Sequence, residues 1–328
     1  MFLGIEIGGT KLQLGVGERS GPPLAKLVRL DVHAENGAPG IIEQIRNAAR
    51  PLVAGHAIER IGVGFGGPIA ADGRHIVTSH QVAGWNGFPL AEWCEKEFSA
   101  PTVLGNDADL GGLAEAHYGA GRGLDPIFYI TVGTGIGGGF IVDGHVYRGS
   151  GHGAAEIGHL RPGLDANDDH ETVESRAAGP GIVATVRRMM AQAQIADLDD
   201  LNGRTGNDLE LLTAKIVGEA AVAGNQLALA GLAESRQVLG WAIAQVITLL
   251  SPAAVVIGGG VSLLGEEYFY VPLRRDVERY VFPPFRGTYQ ILPAQLGEEM
   301  VVYGAVALAA ENDSLGNREA GQIRRIVR

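Results

Sequence analysis

Two stretches of this chain pair a glycine turn with a threonine between hydrophobic strands: EIGGTKLQLGV at Glu6–Val16 and TVGTGIGGGFIVDG at Thr131–Gly144. The first reads as a strand at Phe2–Ile7, the turn Gly8-Gly9-Thr10 and a strand at Leu12–Val16. The second reads as a strand at Ile127–Val132, the turn Gly133-Thr134-Gly135 and a strand at Gly139–Val142. Two such turns facing each other across a cleft would offer backbone N–H groups and hydroxyls to an anion, with phosphate the obvious candidate. Asn106-Asp107 stands where a short strand meets a helix, a place where both residue types are also favoured simply as caps. Glu156 and His159 lie three apart in a segment whose Gly151, Gly153 and Gly158 mark a loop. An isolated Glu-x-x-His is usually just solvated, or on a helix sometimes a metal pair.

The commoner meanings of glycine-rich turns do not fit. Gly133, Gly135 and Gly138 satisfy G-x-G-x-x-G, as do Gly62, Gly64 and Gly67, but a dinucleotide fingerprint needs a helix directly after the glycines. Here a strand ending in Asp143-Gly144 follows the first set, and Pro68 with a turn at Asp72-Gly73 follows the second. No G-x-x-x-x-G-K-[ST] occurs, so the chain is not a P-loop protein.

Around these candidates the chain has 328 residues, 46% of them hydrophobic and 19% charged, in the range of an ordinary globular protein of two domains. A formal charge of −11 argues against non-specific binding of nucleic acid or anionic membrane. Any phosphate must be held locally, by backbone dipoles, a metal and a few cations. The one cysteine, Cys94, excludes an internal disulfide and fits a reducing compartment. The absence of a signal-like N-terminus and of any run near about 18 apolar residues makes a cytoplasmic location the expectation.

Strands and helices alternate as in α/β proteins. The reading places a strand at Leu24–Leu30, a helix at Pro39–Leu52, a buried strand at Arg60–Phe65, a short helix within Trp85–Phe98, a strand at Thr102–Leu104 and a helix at Asp107–Tyr118. Gly119–Asp125 reads as a hinge. Beyond it, Glu174–Met190 and an unusually long Glu219–Leu250 read as helices, Ala254–Ile257 as a strand and Val301–Ala310 as a small-residue helix. The expected domains are 1–118, joined by about 311–328, and 119–310. The tail from Glu311 reads as a solvated end or a frayed helix.

Taken in order, GIEIGGTK, GVGFGGPI, the Gly84-Trp85 pair, NDAD at Asn106–Asp109, TVGTGIGGGFIVDG, GHGAAEIGH at Gly151–His159 and VVIGGGVS at Val255–Ser262 resemble the ROK family of sugar kinases and related repressors. The resemblance runs from Phe2 to about Ala310. It implies an α/β, duplicated actin-like (ribonuclease H-like) ATPase fold with two domains and a central cleft that closes about the hinge. It also implies a kinase transferring the γ-phosphate of ATP to a hexose, glucose first, with fructose, mannose or an N-acyl hexosamine as alternatives. In that pattern Asp107 is the general base. Gly67, Asn106, Glu156, His159 and Glu174 bind sugar, and Gly66 to Pro68 close one wall of its pocket. Gly8, Gly9, Thr10, Gly133, Thr134 and Gly135 hold ATP, and Gly258, Gly259 and Gly260 lie against the nucleoside. Glu6 orients Mg²⁺ through water. Lys11 either approaches the phosphates or is an exposed strand lysine. Kinases of this kind are commonly homodimers.

The chain departs from the family pattern twice. The family's cysteine zinc motif is replaced at Leu160–Val173 by a cysteine-free stretch, so no thiolate zinc site is expected and Asp165–His170 reads as a solvated acidic loop. Glu6 stands where aspartate is usual, keeping the charge and adding one methylene. A sugar sensor or silent sugar binder, like the family's repressors, is the second reading. Strand one begins at Phe2, with no helix-turn-helix before it and no basic patch, which leaves DNA binding without a footprint.

Overall fold

The structure, a computed structural model, describes residues 1–79, 81–150 and 153–311; Gly151 and the tail beyond 311 lie outside the described residues. The chain divides into two compact units. Among the described residues the first takes 1–79, 81–123, 139–150, 153–154 and 295–311, and the second takes Leu124–Gly138 and Ala155–Ala294.

In the first unit β1 (Phe2–Ile7), β2 (Lys11–Glu18), β3 (Gly21–Asp31), α1 (Gly37–Gly55), β4 (Arg60–Phe65), α2 (Leu90–Phe98), β5 (Thr102–Asn106) and α3 (Asp107–Tyr118) build a five-stranded sheet in the order β3-β2-β1-β4-β5. β1 runs antiparallel to β2 and parallel to β4, and β4 runs parallel to β5. The near-continuous burial of β1 and β4 is that of central strands covered on both faces. On α1 the buried residues Ile41, Ile42, Ile45, Ala49 and Leu52 recur at helical spacing and form the stripe laid against the core. A C-terminal helix over 300–311 packs in this same unit. Its approach requires glycine: a Cβ on Gly62 would lie 1.9 Å from the Ala305 carbonyl oxygen, and one on Gly304 1.9 Å from that of Leu110.

The second set of elements is β6 (Ile127–Val132), β7 (Ile136–Val142), β8 (His145–Val146), α4 (Val173–Ala177), α5 (Gly179–Met189), α6 (Ile195–Arg204), α7 (Ala214–Val222), α8 (Gln226–Leu250), β9 (Ala254–Gly258), α9 (Val271–Tyr280) and β10 (Gln290–Pro293). The sheet runs β8-β7-β6-β9-β10, so the order of the first sheet returns position for position. This is the duplication that the two related hairpins foreshadow. The chain passes between units within β7, at Gly138-Gly139.

Several elements differ from expectation. Glu219–Leu250 is not one helix: α7 ends at Val222 and α8 starts at Gln226, bent by 118°. Gly224 adopts φ +94°, and Asn225 restarts the chain as an N-cap, its side chain accepting the Ala228 amide. Glu174–Met190 is split at Ala178 ahead of Gly179-Pro180. The short helix expected within Trp85–Phe98 is present as Leu90–Phe98, while Trp85 is buried in the core. α6, α9 and β10 lie outside the elements read from the sequence, although α9 is strongly amphipathic. By packing, 139–150 and 295–311 sit in the first unit. Among the described residues no single helix is long and apolar enough to cross a membrane.

Candidate functional site

In the first unit the carboxyl ends of β1, β4 and β5 lie level, with Ile7 opposite Phe65 and Phe65 opposite Asn106. In open α/β sheets ligands gather at such ends. The Gly8 amide donates to the Lys11 carbonyl at 2.9 Å, which closes a two-residue turn and leaves Thr10 exposed. The Gly66 amide donates to the Ile7 carbonyl at 3.0 Å. A Cβ on Gly66 would lie 3.6 Å from Asp107 Oδ2 and 3.8 Å from the Gly8 Cα, so turn, strand end and carboxylate converge on one point. The side chain of Gln81 lies against Gly9, where no Cβ would fit.

Asn106 is the N-cap of α3. Its Oδ1 accepts the Ala108 amide at 2.9 Å and its Nδ2 donates to the Gly67 carbonyl at 3.2 Å. Asp107 Oδ1 accepts the same amide at 2.8 Å. The capping reading of this pair is therefore real, and it fixes the side chains at the strand ends. Gly67 is glycine because a Cβ would come 2.9 Å from the Phe65 ring.

Glu6 is buried in the hairpin. Gln13 Nε2 donates to its Oε2 at 2.8 Å, and Lys11 Nζ lies 3.2 Å from its Oε1. Burial pushes the Glu6 carboxyl above its usual range, against the opposing pull of Lys11 and the Gln13 bond. Among the described residues no group of three or more His, Cys, Asp and Glu is disposed to hold a metal. A single hard carboxylate, even one that also meets Lys11 and Gln13, suits Mg²⁺, which typically keeps several waters and shares itself with phosphates.

In the second unit the Gly133 amide donates to the Gly135 carbonyl at 2.9 Å, and Thr134 is exposed as Thr10 is in the first turn. The Gly179 amide donates to the Gly133 carbonyl at 2.8 Å and seats the start of α5 beside the turn. Glu174 Oε2 accepts the Ile136 amide at 2.7 Å, so this carboxylate is tied to the second hairpin. A cleft of about 1060 Å³ opens here, lined by Gly133, Thr134, Thr213, Lys215 and Gly260, with Val222 and Leu263 as apolar wall. Of the three glycines expected against a nucleoside, Gly260 lines this cleft and has open space around it. Gly259 adopts φ +90° and a Cβ there would lie 2.4 Å from the Val132 carbonyl oxygen, while one on Gly258 would lie 2.8 Å from the Tyr129 hydroxyl. Those two serve close packing of β9 on β6.

Glu156 and His159 are both exposed, with Oε2 and Nε2 3.9 Å apart. The cysteine-free segment after them is closed by hydrogen bonds. The Val173 amide donates to the Leu160 carbonyl at 2.8 Å, and Arg161 pairs with the Asp169 carboxylate. Thr172 and Ser175 form a reciprocal cap at the start of α4.

Gln13 and the α7 face of the cleft escaped the sequence reading. Gln13 was legible in principle, since a two-residue turn at Gly9-Thr10 sets it opposite Glu6. The α7 residues of the cleft, Lys215 and Val222 among them, stand in no motif.

A family model described as ROK family matches residues 2–312. A glucokinase of Thermotoga maritima is 30% identical over 312 residues, covering 94% of this chain and 97% of its own length. A glucokinase of Streptomyces coelicolor is 30% identical over 322 residues, covering 96% and 99%. Among solved structures, a ROK family glucokinase from Streptomyces griseus in complex with glucose and AMPPNP aligns with TM-score 0.78 at 30% identity, over 94% of this chain and 99% of that one. A ROK hexokinase from Thermus thermophilus aligns with TM-score 0.77 at 26% identity, over 95% and 99%. The fold is thus the α/β, actin-like ATPase fold.

Proposed function

The chain belongs to the ROK family, and we propose from that premise that it is an ATP-dependent hexose kinase acting on glucose, with Asp107 as general base. The relatives named glucokinase and the solved glucokinase bound to glucose and AMPPNP support the class of reaction. The observation that carries the residue assignment is the meeting of Gly8, Gly66 and Asp107 Oδ2 at the carboxyl ends of the first sheet.

Asp107 takes the proton of a sugar hydroxyl as that oxygen forms its bond to the γ-phosphorus. The bond from the γ-phosphorus to the bridging oxygen breaks, and ADP leaves with the electron pair. The base accounts for about 10²- to 10⁴-fold in rate, and positioning and charge stabilisation supply most of the rest. Asn106, fixed by its cap and by Gly67, keeps one amide proton and one lone pair for a neighbouring hydroxyl. Glu156, His159 and the second oxygen of Glu174 bond further hydroxyls. The amides of both glycine turns and the hydroxyls of Thr10 and Thr134 hold the phosphates, and Gly260 with its apolar neighbours faces the nucleoside. Glu6 would hold Mg²⁺ through water; when bound, the ion neutralises and orients phosphate oxygens. The reading extends to a cytoplasmic homodimer.

A coupled assay of ADP release over a panel of hexoses and N-acyl hexosamines tests the proposal. Glucose should give the highest kcat/KM, and Asp107→Ala should remove at least 10²-fold of kcat while the circular dichroism spectrum is unchanged. Sugar-dependent turnover retained in that variant takes Asp107 out of the mechanism, and no turnover of any sugar by the wild type sinks the kinase reading.

A further inference from the structure

Antiparallel pairing sets Gln13 of β2 directly opposite Glu6 of β1, and Arg29 of β3 directly opposite Gln13. The three form a polar row across adjacent strands. Gln13 is fully buried, at 0% exposure, in a strand whose neighbours Leu12 and Leu14 are equally buried. Its amide is satisfied on both sides. Nε2 donates to Glu6 Oε2 at 2.8 Å and to the Glu298 carbonyl at 2.8 Å, and Oε1 accepts from Arg29 Nε at 2.9 Å. Only one orientation of the amide works, because a flip would turn its oxygen toward a carboxylate and a carbonyl. Arg29 is in turn held by Glu299.

A buried strand position is ordinarily apolar, and a polar group there costs stability unless every partner is supplied. What this position supplies is a fixed direction for Glu6. A glutamate has one more rotatable bond than an aspartate and would otherwise swing among rotamers. Lys11 bounds its carboxylate on one side and Gln13 on the other. We propose, building on the kinase reading, that Gln13, itself oriented by Arg29, is a positioning residue that aims the Glu6 carboxylate at the metal–nucleotide complex. Partners of this kind, one step removed from a metal, typically carry 10- to 100-fold in metal affinity.

The test replaces the amide without changing its length. Gln13→Met keeps the volume and removes the hydrogen bonds. Calorimetric titration with Mg²⁺·AMPPNP should show binding weakened by about 10- to 100-fold, and the Mg²⁺ concentration needed for half-maximal turnover should rise, while the KM for sugar stays within about twofold. In a Glu6→Asp background, where the shorter carboxylate is out of reach, Gln13→Met should change nothing further. Unaltered nucleotide binding overturns the proposal, as does a loss of the same size in both backgrounds or a parallel loss of sugar and nucleotide affinity. Arg29→Met, at a half-exposed position, covers the case in which Gln13→Met does not fold; it should weaken Mg²⁺·AMPPNP binding in the same direction and by less, and no effect there counts against the proposal. Failure of the wild type to bind Mg²⁺·AMPPNP would instead remove the kinase reading beneath it.

Discussion

Glu115 of α3 accepts the backbone amide of Gln295 at 2.8 Å, across 180 residues of chain. The same carboxylate accepts the amides of Leu296 at 2.9 Å and Ala120 at 2.7 Å, and the residue is fully buried. The chain first leaves this unit after Gly123 and enters it for the last time at Gln295, so one side chain ties down the segments beside the first and the last of its crossings. Gly119 is glycine because a Cβ would meet Glu115 Oε2 at 2.0 Å.

Glu115→Gln should therefore lower stability by about 2–3 kcal/mol, since an amide nitrogen would face N–H donors that then lack an acceptor. Urea denaturation reads this directly. A midpoint equal to that of the wild type would show that the three bonds contribute nothing net.

Gly259 and Gly260 are adjacent but should fail differently. Gly259→Ala forces a left-handed residue against the Val132 backbone and should lower the melting temperature. Gly260→Val adds bulk only to the open cleft, so it should raise the KM for nucleotide with the melting temperature kept. The reverse pattern would remove Gly260 from the nucleotide surface.

His117 bonds the Glu311 carboxylate at 3.1 Å and the Gly144 carbonyl at 2.9 Å. Its pKa is held above the ordinary 6.5, first by the Glu311 hydrogen bond and then by the Gly144 carbonyl, with burial opposing. A pKa raised by folding means that the folded chain binds the proton more tightly. The stabilisation is full below about pH 6.5 and is lost as pH rises through the raised value. Thermal melts of His117→Gln should fall below the wild type in mildly acidic buffer and approach it in alkaline buffer. A gap independent of pH would mean that the contact is packing alone.

Legibility followed the range of the forces involved. Both hairpins, the buried strand at Arg60–Phe65 and the helix at Asp107–Tyr118 were readable because strand alternation, tight turns and capping pairs act within a few residues. The long helix expected over Glu219–Leu250 is interrupted at Ala223-Gly224-Asn225. Apolar spacing continues on both sides of the break, and only the φ of Gly224 and the cap made by Asn225 reveal it. Glu174 was assigned by resemblance to a sugar, and the structure adds its bond to the Ile136 amide, which no local pattern announces.

By itself the sequence determined the kind of chemistry: two threonine-bearing glycine turns, a carboxylate at a strand-to-helix junction, and no cysteine with which to bind zinc beside His159. Hairpin register is local arithmetic, so even the Glu6–Gln13 pairing was contained in the spacing. Tertiary structure alone decided that Gly258 and Gly259 serve packing while Gly260 lines a cleft, that the helix over 300–311 completes the first unit, and that Glu115 joins segments 180 residues apart. Those choices depend on close approach between surfaces remote in the chain, where a clash of a few tenths of an ångström decides the outcome and residue type carries no trace of it.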